Sequence, residues 1–184
     1  MSPEPPHWPL HSRKKAGDYR IFEVHEEECS SPVTRQKHNF FVIECASWVN
    51  AIALTPDKQI VLVRQYRHGI KEVTLELPGG VHDHADETPV EAAVRELREE
   101  TGYIGGMARE IGKFHPNPAV QQNAVYCVLV EDCVPSGATA FDETEDISTA
   151  LYPLADIPQM IHSGKITHAL NIAALYHYLH WRGR

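Results

Sequence analysis

The sequence lacks both long apolar runs and an excess of positive charge. No apolar run approaches the roughly 18 residues of a membrane span, and residues 1–15 lack the apolar core of a signal peptide. The 17 Lys and Arg residues are outnumbered by 25 Asp and Glu residues, which gives a formal charge of −8. Because a nucleic acid or an anionic membrane requires a basic surface, we expect a protein that binds neither. The lack of a membrane span and of a signal peptide leads us to expect a cytoplasmic protein. Small phosphates held through metal ions stay possible.

Cysteine is also scarce, and its spacing excludes the common metal and redox motifs. The four cysteines, Cys29, Cys45, Cys127 and Cys133, contain no C-x-x-C pair, and a chain of 184 residues does not need disulfides to stabilise it. Hydrophobic residues make up 42% of the chain, which is enough for a core. We therefore predict reduced, structural thiols in one domain over 17–184, preceded by a flexible arm at 1–16.

Short β-type runs dominate the front half of the chain, and helices appear later. Strands and helices do not alternate regularly, so the pattern favours an α/β or α+β sandwich over a Rossmann-type sheet. We interpret the apolar terminal helix as packing rather than chemistry. The predicted strands are 21–24, 39–46, 48–54, 59–66, 73–77, 109–114, 124–131 and 149–154, and two late helices are predicted at 155–162 and 166–181.

The strongest helix signal follows Thr88. Thr88 and Glu91 have the spacing of a capping box, a proline occupies the first helical position, and Gly102 supplies a left-handed stop. Apolar residues at 90, 93, 94 and 97 recur with helical spacing and predict the buried stripe.

Three carboxylates of this helix, those of Glu96, Glu99 and Glu100, fall within one sector of about 100°. Like charges four residues apart destabilise a helix unless something neutralises them, and oxygen ligands suit Mg²⁺ or Mn²⁺. A solvated acidic face with ion pairs from neighbouring arginines is the alternative. The diglycine Gly79-Gly80 before the helix favours the metal, because its backbone can approach a ligand closely.

The run Gly80-x6-Glu87-x7-Arg95-Glu96-Leu97-Arg98-Glu99-Glu100-Thr101-Gly102-Tyr103 resembles the Nudix box, G-x5-E-x7-R-E-U-x-E-E-x-G-U. One extra residue lies between Gly80 and Glu87. The resemblance implies an α/β/α sandwich with a mixed sheet. It also implies metal-dependent water attack on a pyrophosphate.

Segments outside the box are similar to the ADP-ribose and nucleoside-diphosphate-sugar pyrophosphatase branch of the Nudix hydrolases. They are residues 63–69 (VRQYRHG), 75–80 (LELPGG) and 115–119 (HPNPA). The branch implies a nucleotide-sugar substrate, with ADP-ribose preferred, and a homodimer with N-terminal strands, here 17–46, at its interface. The alternatives are a nucleoside triphosphate or dinucleotide pyrophosphatase and a nucleotide-sensing module that does not cleave.

The resemblance also assigns roles to residues of the box. It implies that Glu96, Glu100 and Glu99 ligate the metal together with the Gly79 carbonyl, with Glu99 and Glu100 counted as catalytic. Glu87 is expected to orient the loop and helix through Arg95. A general base outside the box is expected at Glu145, with Glu143 as the second choice.

Substrate contacts are expected from two strands and one loop. Arg64 and Arg67 tend toward opposite faces of a strand, so one of them is expected on the diphosphate, and the resemblance favours Arg67. Trp48 is either a core anchor or part of a surface that stacks on the nucleobase, and Pro118 is the branch's substrate-side proline. His82 and His84 are metal-ligand candidates, but we favour solvent-facing histidines.

Overall fold

The computed structural model describes residues 4–82, 86–137, 139–140 and 146–181. The chain divides into two compact units, one of Met1–Ala46 with His115–Asn123 and one of Ser47–Phe114 with Ala124–Arg184. The predicted bases Glu143 and Glu145 and the metal candidate His84 lie outside the described residues.

The first unit is built on a three-stranded antiparallel sheet of β1 (Leu10–Asp18), β2 (Glu23–Ser30) and β3 (Lys37–Glu44). Strand β1 begins inside the segment predicted as an arm at 1–16, so that boundary was wrong. The error has a physical cause, because β1 carries no apolar alternation. Its basic residues pair across strands instead, with Lys14 Nζ 2.7 Å from a carboxylate oxygen of Glu26 on β2.

The second unit contains a seven-stranded mixed sheet and a separate two-stranded one. In the large sheet β10 pairs parallel with β4, whereas the other pairings are antiparallel. The spatial order is β12-β5-β4-β10-β9, with β6 beside β5 and β7 beside β4. The strands are β4 (Ser47–Leu54), β5 (Gln59–Arg67), β6 (Glu72–Glu76), β7 (Val81–His82), β9 (Met107–Phe114), β10 (Val125–Glu131) and β12 (Ile147–Pro153), and the small sheet pairs β8 (Tyr103–Ile104) with β11 (Val134–Pro135).

Helices cover both faces of the large sheet. They are α1 (Pro89–Thr101), α2 (Ile157–His162) and α3 (Ala169–Trp181), and a 3-10 turn, Leu154–Asp156, precedes α2. Because successive strand residues point to opposite faces, β4 sends Ala51 and Ala53 into the core beneath α1 and Ile52 into the core beneath α2 and α3. The predicted α/β/α sandwich with a mixed sheet is confirmed. Among the described residues, no helix is long and apolar enough to cross a membrane.

The signals read from the sequence around α1 are present in the structure. The Thr88 hydroxyl accepts a hydrogen bond from the Glu91 amide, the Glu91 carboxylate accepts one from the Thr88 amide, and Gly102 ends the helix at φ 69°. Leu97 is fully buried. The caps fix where α1 begins and ends, and the buried apolar face around Leu97 fixes its rotation against the sheet and so the direction of its glutamates.

Candidate active site

The loop after β6 presses its backbone against β4. The Pro78 carbonyl accepts a hydrogen bond from the Ala51 amide at 2.8 Å, and the Gly80 carbonyl accepts one from the Val49 amide at 3.0 Å. A Cβ atom at Gly79 would lie 2.1 Å from the Val49 carbonyl oxygen. Only glycine permits this approach, so the contact with β4 requires the glycine at position 79.

Two carboxylates of α1 meet this loop. The Gly79 amide donates a hydrogen bond to the Glu100 carboxylate at 3.0 Å, and Glu100 is only 3% exposed. A Cβ atom at Gly80 would lie 2.5 Å from the Glu96 carboxylate. Residues four apart share one face of a helix, so Glu96 and Glu100 converge on the diglycine from one side.

Arg95 lies among the remaining acidic side chains. Its Nε and terminal nitrogens donate to both Glu87 oxygens at 2.9 and 3.2 Å, to Glu96 at 2.8 Å and to Glu99 at 3.1 Å. The hydrogen bonds to Glu87 contribute most to raising the pKa of Arg95 above its ordinary value, against the opposing effect of burial. The expected contact between Glu87 and Arg95 is present, and it joins the loop before α1 to the helix.

The donor chemistry suits a hard divalent cation, since the acidic groups at this site are carboxylates. Within the described ranges, however, no three acidic, histidine or cysteine side chains are already gathered around one point. Glu96 and Glu99 are held by Arg95 instead. A cation there would compete with the guanidinium for these two carboxylates.

A cleft of about 510 Å³ opens beside the diglycine in the second unit. Polar and aromatic groups from separate elements line it, which is how ligand sites are usually built. Its lining includes Trp48, Arg67, His68, Gly79, Gly80 and His168.

The two arginines of β5 have different surroundings. Arg67 lines the cleft and donates to both oxygens of Glu76 at 2.7 Å. Glu76 is only 2% exposed, and burial would raise its pKa, but hydrogen bonds from Arg67 and Thr74 outweigh burial and lower it. Arg64 donates to the Tyr152 hydroxyl at 2.6 Å and does not line the cleft. Of the two arginines, Arg67 is therefore the one that lines the cleft, and its contact with a substrate stays a prediction.

The other candidate residues are distributed between the two units. Trp48 is partly buried and lines the cleft, so it is not solely a core residue. Pro118 is exposed and belongs to the first unit. His82 differs from the expected solvent-facing histidine, because its Nε2 lies 2.7 Å from the Glu87 carbonyl oxygen and the side chain is partly buried. The substrate and metal roles of these residues stay predictions.

Sequence reasoning missed the contribution of α3. The Asn171 side chain is 1% exposed and accepts a hydrogen bond from the Leu77 amide, two residues before Gly79. His168 and Leu170, at the start of the same helix, line the cleft. The available signal was a single asparagine among apolar residues of a buried helix, which requires a polar partner.

Comparison with known proteins agrees with this geometry. Residues 47–172 match the NUDIX domain. An ADP-ribose pyrophosphatase of Mycobacterium tuberculosis is 29% identical over 160 residues, covering 84% of this chain and 75% of the relative. The ADP compounds hydrolase NudE of Escherichia coli is 27% identical over 133 residues, covering 71% and 70%. A crystal structure of an ADP compounds hydrolase superposes with a TM-score of 0.85 at 22% identity, covering 98% of this chain and 96% of that one.

The chain belongs to the NUDIX family, since the family match spans well over half of it, and it is a Nudix hydrolase. The resemblance to the ADP-ribose pyrophosphatase branch is confirmed by these relatives.

Proposed function

We propose that this Nudix hydrolase cleaves the pyrophosphate bond of nucleoside diphosphate sugars, with ADP-ribose as the preferred substrate and AMP and a sugar phosphate as products. One observation carries the proposal. The carboxylates of Glu96 and Glu100 converge on the Gly79-Gly80 backbone at the edge of a cleft that also contains Arg67. Relatives of this chain are named for ADP-ribose and ADP compounds.

Charge balance supports a requirement for Mg²⁺ or Mn²⁺. Arg95 donates hydrogen bonds to Glu87, Glu96 and Glu99, and the Glu100 carboxylate of α1 accepts one from the Gly79 amide of the adjacent loop. A diphosphate brought to this cluster would add further negative charge. A divalent cation held by Glu96, Glu100, Glu99 and the Gly79 carbonyl would shield that charge and acidify a bound water.

The side chains of the cleft support the binding step. A guanidinium can donate two parallel hydrogen bonds to phosphate oxygens, and Arg67 is 42% exposed while Glu76 fixes its orientation. The Trp48 indole offers a flat face for a base. Glu145 stays the proposed general base, and a homodimer using the strands at 17–46 stays the proposed assembly.

The proposal predicts that purified protein converts ADP-ribose to AMP and a sugar phosphate with Mg²⁺ or Mn²⁺ and stops in excess chelator. Chromatography would resolve the products, and the panel would include a nucleoside triphosphate, a dinucleotide and another ADP-sugar. The variant Glu100→Gln, prepared in the same way, controls for contaminating phosphatases. Activity that persists in chelator would reject the metal requirement. Binding of ADP-ribose without turnover under all metal conditions would favour the sensing module.

A further inference from the structure

The start of α3 carries a hydrogen-bonded pair, Asn171 and His168, at the wall of the cleft. The Asn171 amide nitrogen lies 3.0 Å from His168 Nδ1. Asn171 is buried, and His168 is partly buried and lines the cleft. Neither residue belongs to the Nudix box: Asn171 lies in the first turn of α3, and His168 directly precedes that helix.

The Leu77 amide fixes the orientation of the Asn171 side chain. A backbone N–H can only donate, so the Asn171 oxygen must face Leu77, as it does. The Asn171 nitrogen therefore faces His168, and it can only donate. His168 Nδ1 is then the acceptor, and a neutral imidazole that accepts at Nδ1 carries its proton on Nε2.

The same contacts define what His168 offers to a ligand. Both oxygens of the neighbouring cleft residue Glu76 already accept hydrogen bonds from Arg67, and one also accepts from the Thr74 hydroxyl. Among the described residues, the side chain of His168 makes its hydrogen bond through Nδ1 alone, so the donor at Nε2 is left for an acceptor that enters the cleft. The hydrogen-bond acceptors along the diphosphate and the ribose of a nucleotide sugar are all oxygen atoms.

We propose that His168 donates a hydrogen bond from Nε2 to an oxygen of the nucleotide sugar, and that Asn171 is the positioning residue that sets its tautomer. The inference rests on the proposed function and extends it to a substrate contact outside the box. Asn171 also ties this contact to the loop after β6, because the Leu77 amide that it binds lies two residues before Gly79 and Gly79 binds Glu100.

The kinetic test compares His168→Met with His168→Gln in the full chain. Methionine keeps an unbranched side chain of similar length but has no donor, whereas the glutamine amide reproduces a donor near the position of Nε2. We expect His168→Met to raise KM for ADP-ribose about tenfold with kcat changed less, because one hydrogen bond to an oxygen is worth roughly that factor. His168→Gln should return KM to within about threefold of wild type. An unchanged KM in His168→Met would overturn the proposal.

A second measurement does not depend on turnover. In ¹⁵N-histidine-labelled protein, with His168→Gln to assign the signal, we expect the Nε2–H tautomer and a shift of the Nε2 resonance when ADP-ribose is added in chelator. A response to inorganic phosphate as well would assign the acceptor to the diphosphate, and a response to ADP-ribose alone would assign it to a ribose hydroxyl. The Nδ1–H tautomer, or no response to ADP-ribose, contradicts the proposal. If the Nε2 signal responds but no substrate is cleaved, the proposed function fails and the binding inference stands.

Discussion

Glu100 differs from the other box glutamates because it makes its contact with the diglycine and not with Arg95. Its carboxylate accepts the Gly79 amide at 3.0 Å and is almost completely buried. A buried carboxylate requires compensation, and the Gly79 N–H contributes to it. Because Glu100 is also a proposed ligand of the metal, it is the most informative single residue to test.

We expect Glu100→Gln to lower kcat by about a hundredfold or more while the fold is kept, because the amide oxygen still accepts the Gly79 N–H but the charge is lost. Steady-state kinetics with ADP-ribose and Mg²⁺ would measure the effect, and circular dichroism would check the fold. Glu91→Gln is the matched control, since it removes a charge from the same helix and a glutamine still completes the capping box. Turnover at the wild-type rate in Glu100→Gln would contradict the assignment of Glu100 as a ligand.

At the scale of elements, the capping box fixes the first turn of α1, the helix that carries Glu96 and Glu100. Thr88→Ala removes the hydroxyl that accepts the Glu91 amide at 3.2 Å. We expect the free energy of unfolding, measured by urea denaturation, to fall by about 1 kcal/mol. Thr88→Ser keeps the hydroxyl and should stay within a few tenths of a kcal/mol of wild type. Equal losses in both variants would show that the threonine methyl group, and not the cap, supplies the stability.

The elements also show what the sequence could reveal. Helix α1 was predictable from end to end because capping, proline placement and apolar spacing are local signals. Strand β1 was not, because its stability comes from charge pairing with β2, and such pairing has no period within one strand. The contribution of α3 to the cleft was also hidden, since Asn171 and Leu77 are far apart in sequence and meet only after folding.

At the scale of the whole molecule, the sandwich was predictable and parts of the site were not. Two apolar faces on β4 require helices on both sides of the sheet. The resemblance to the Nudix box identified α1 as the helix that carries the glutamates. The sequence also placed Glu87 beside Arg95, a contact that the structure contains. It could not show that Arg95 occupies the space between Glu96 and Glu99, because that geometry depends on the loop through Val81 as well as on the helix.

The titratable groups of the molecule predict how its stability depends on pH. Stability should be highest over a middle range and fall on both sides, along an acid arm and an alkaline arm of the curve. On the acid side, hydrogen bonds lower the pKa values of several carboxyls in the folded protein, among them Glu23, Glu26 and Glu28 with lysine partners. Groups with a lowered folded pKa contribute stability that is present above the ordinary value of 4.5 and is lost as the pH falls. On the alkaline side, burial raises the pKa of Cys127 to about 12 and that of Cys133 to about 11 from an ordinary value of 9.0.

The unfolded chain releases these thiol protons first, so the stability that they contribute is lost as the pH rises above the ordinary thiol value. We therefore expect the thermal unfolding midpoint to be highest between about pH 5 and pH 8.5 and to fall on both sides. Differential scanning calorimetry in reducing buffer would measure it. In a double variant, Cys127→Ala with Cys133→Ala, the alkaline arm should flatten while the acid arm keeps its slope. An unfolding midpoint in wild type that keeps rising beyond the thiol range would contradict this account, because it would mean that the folded chain loses protons there before the unfolded one.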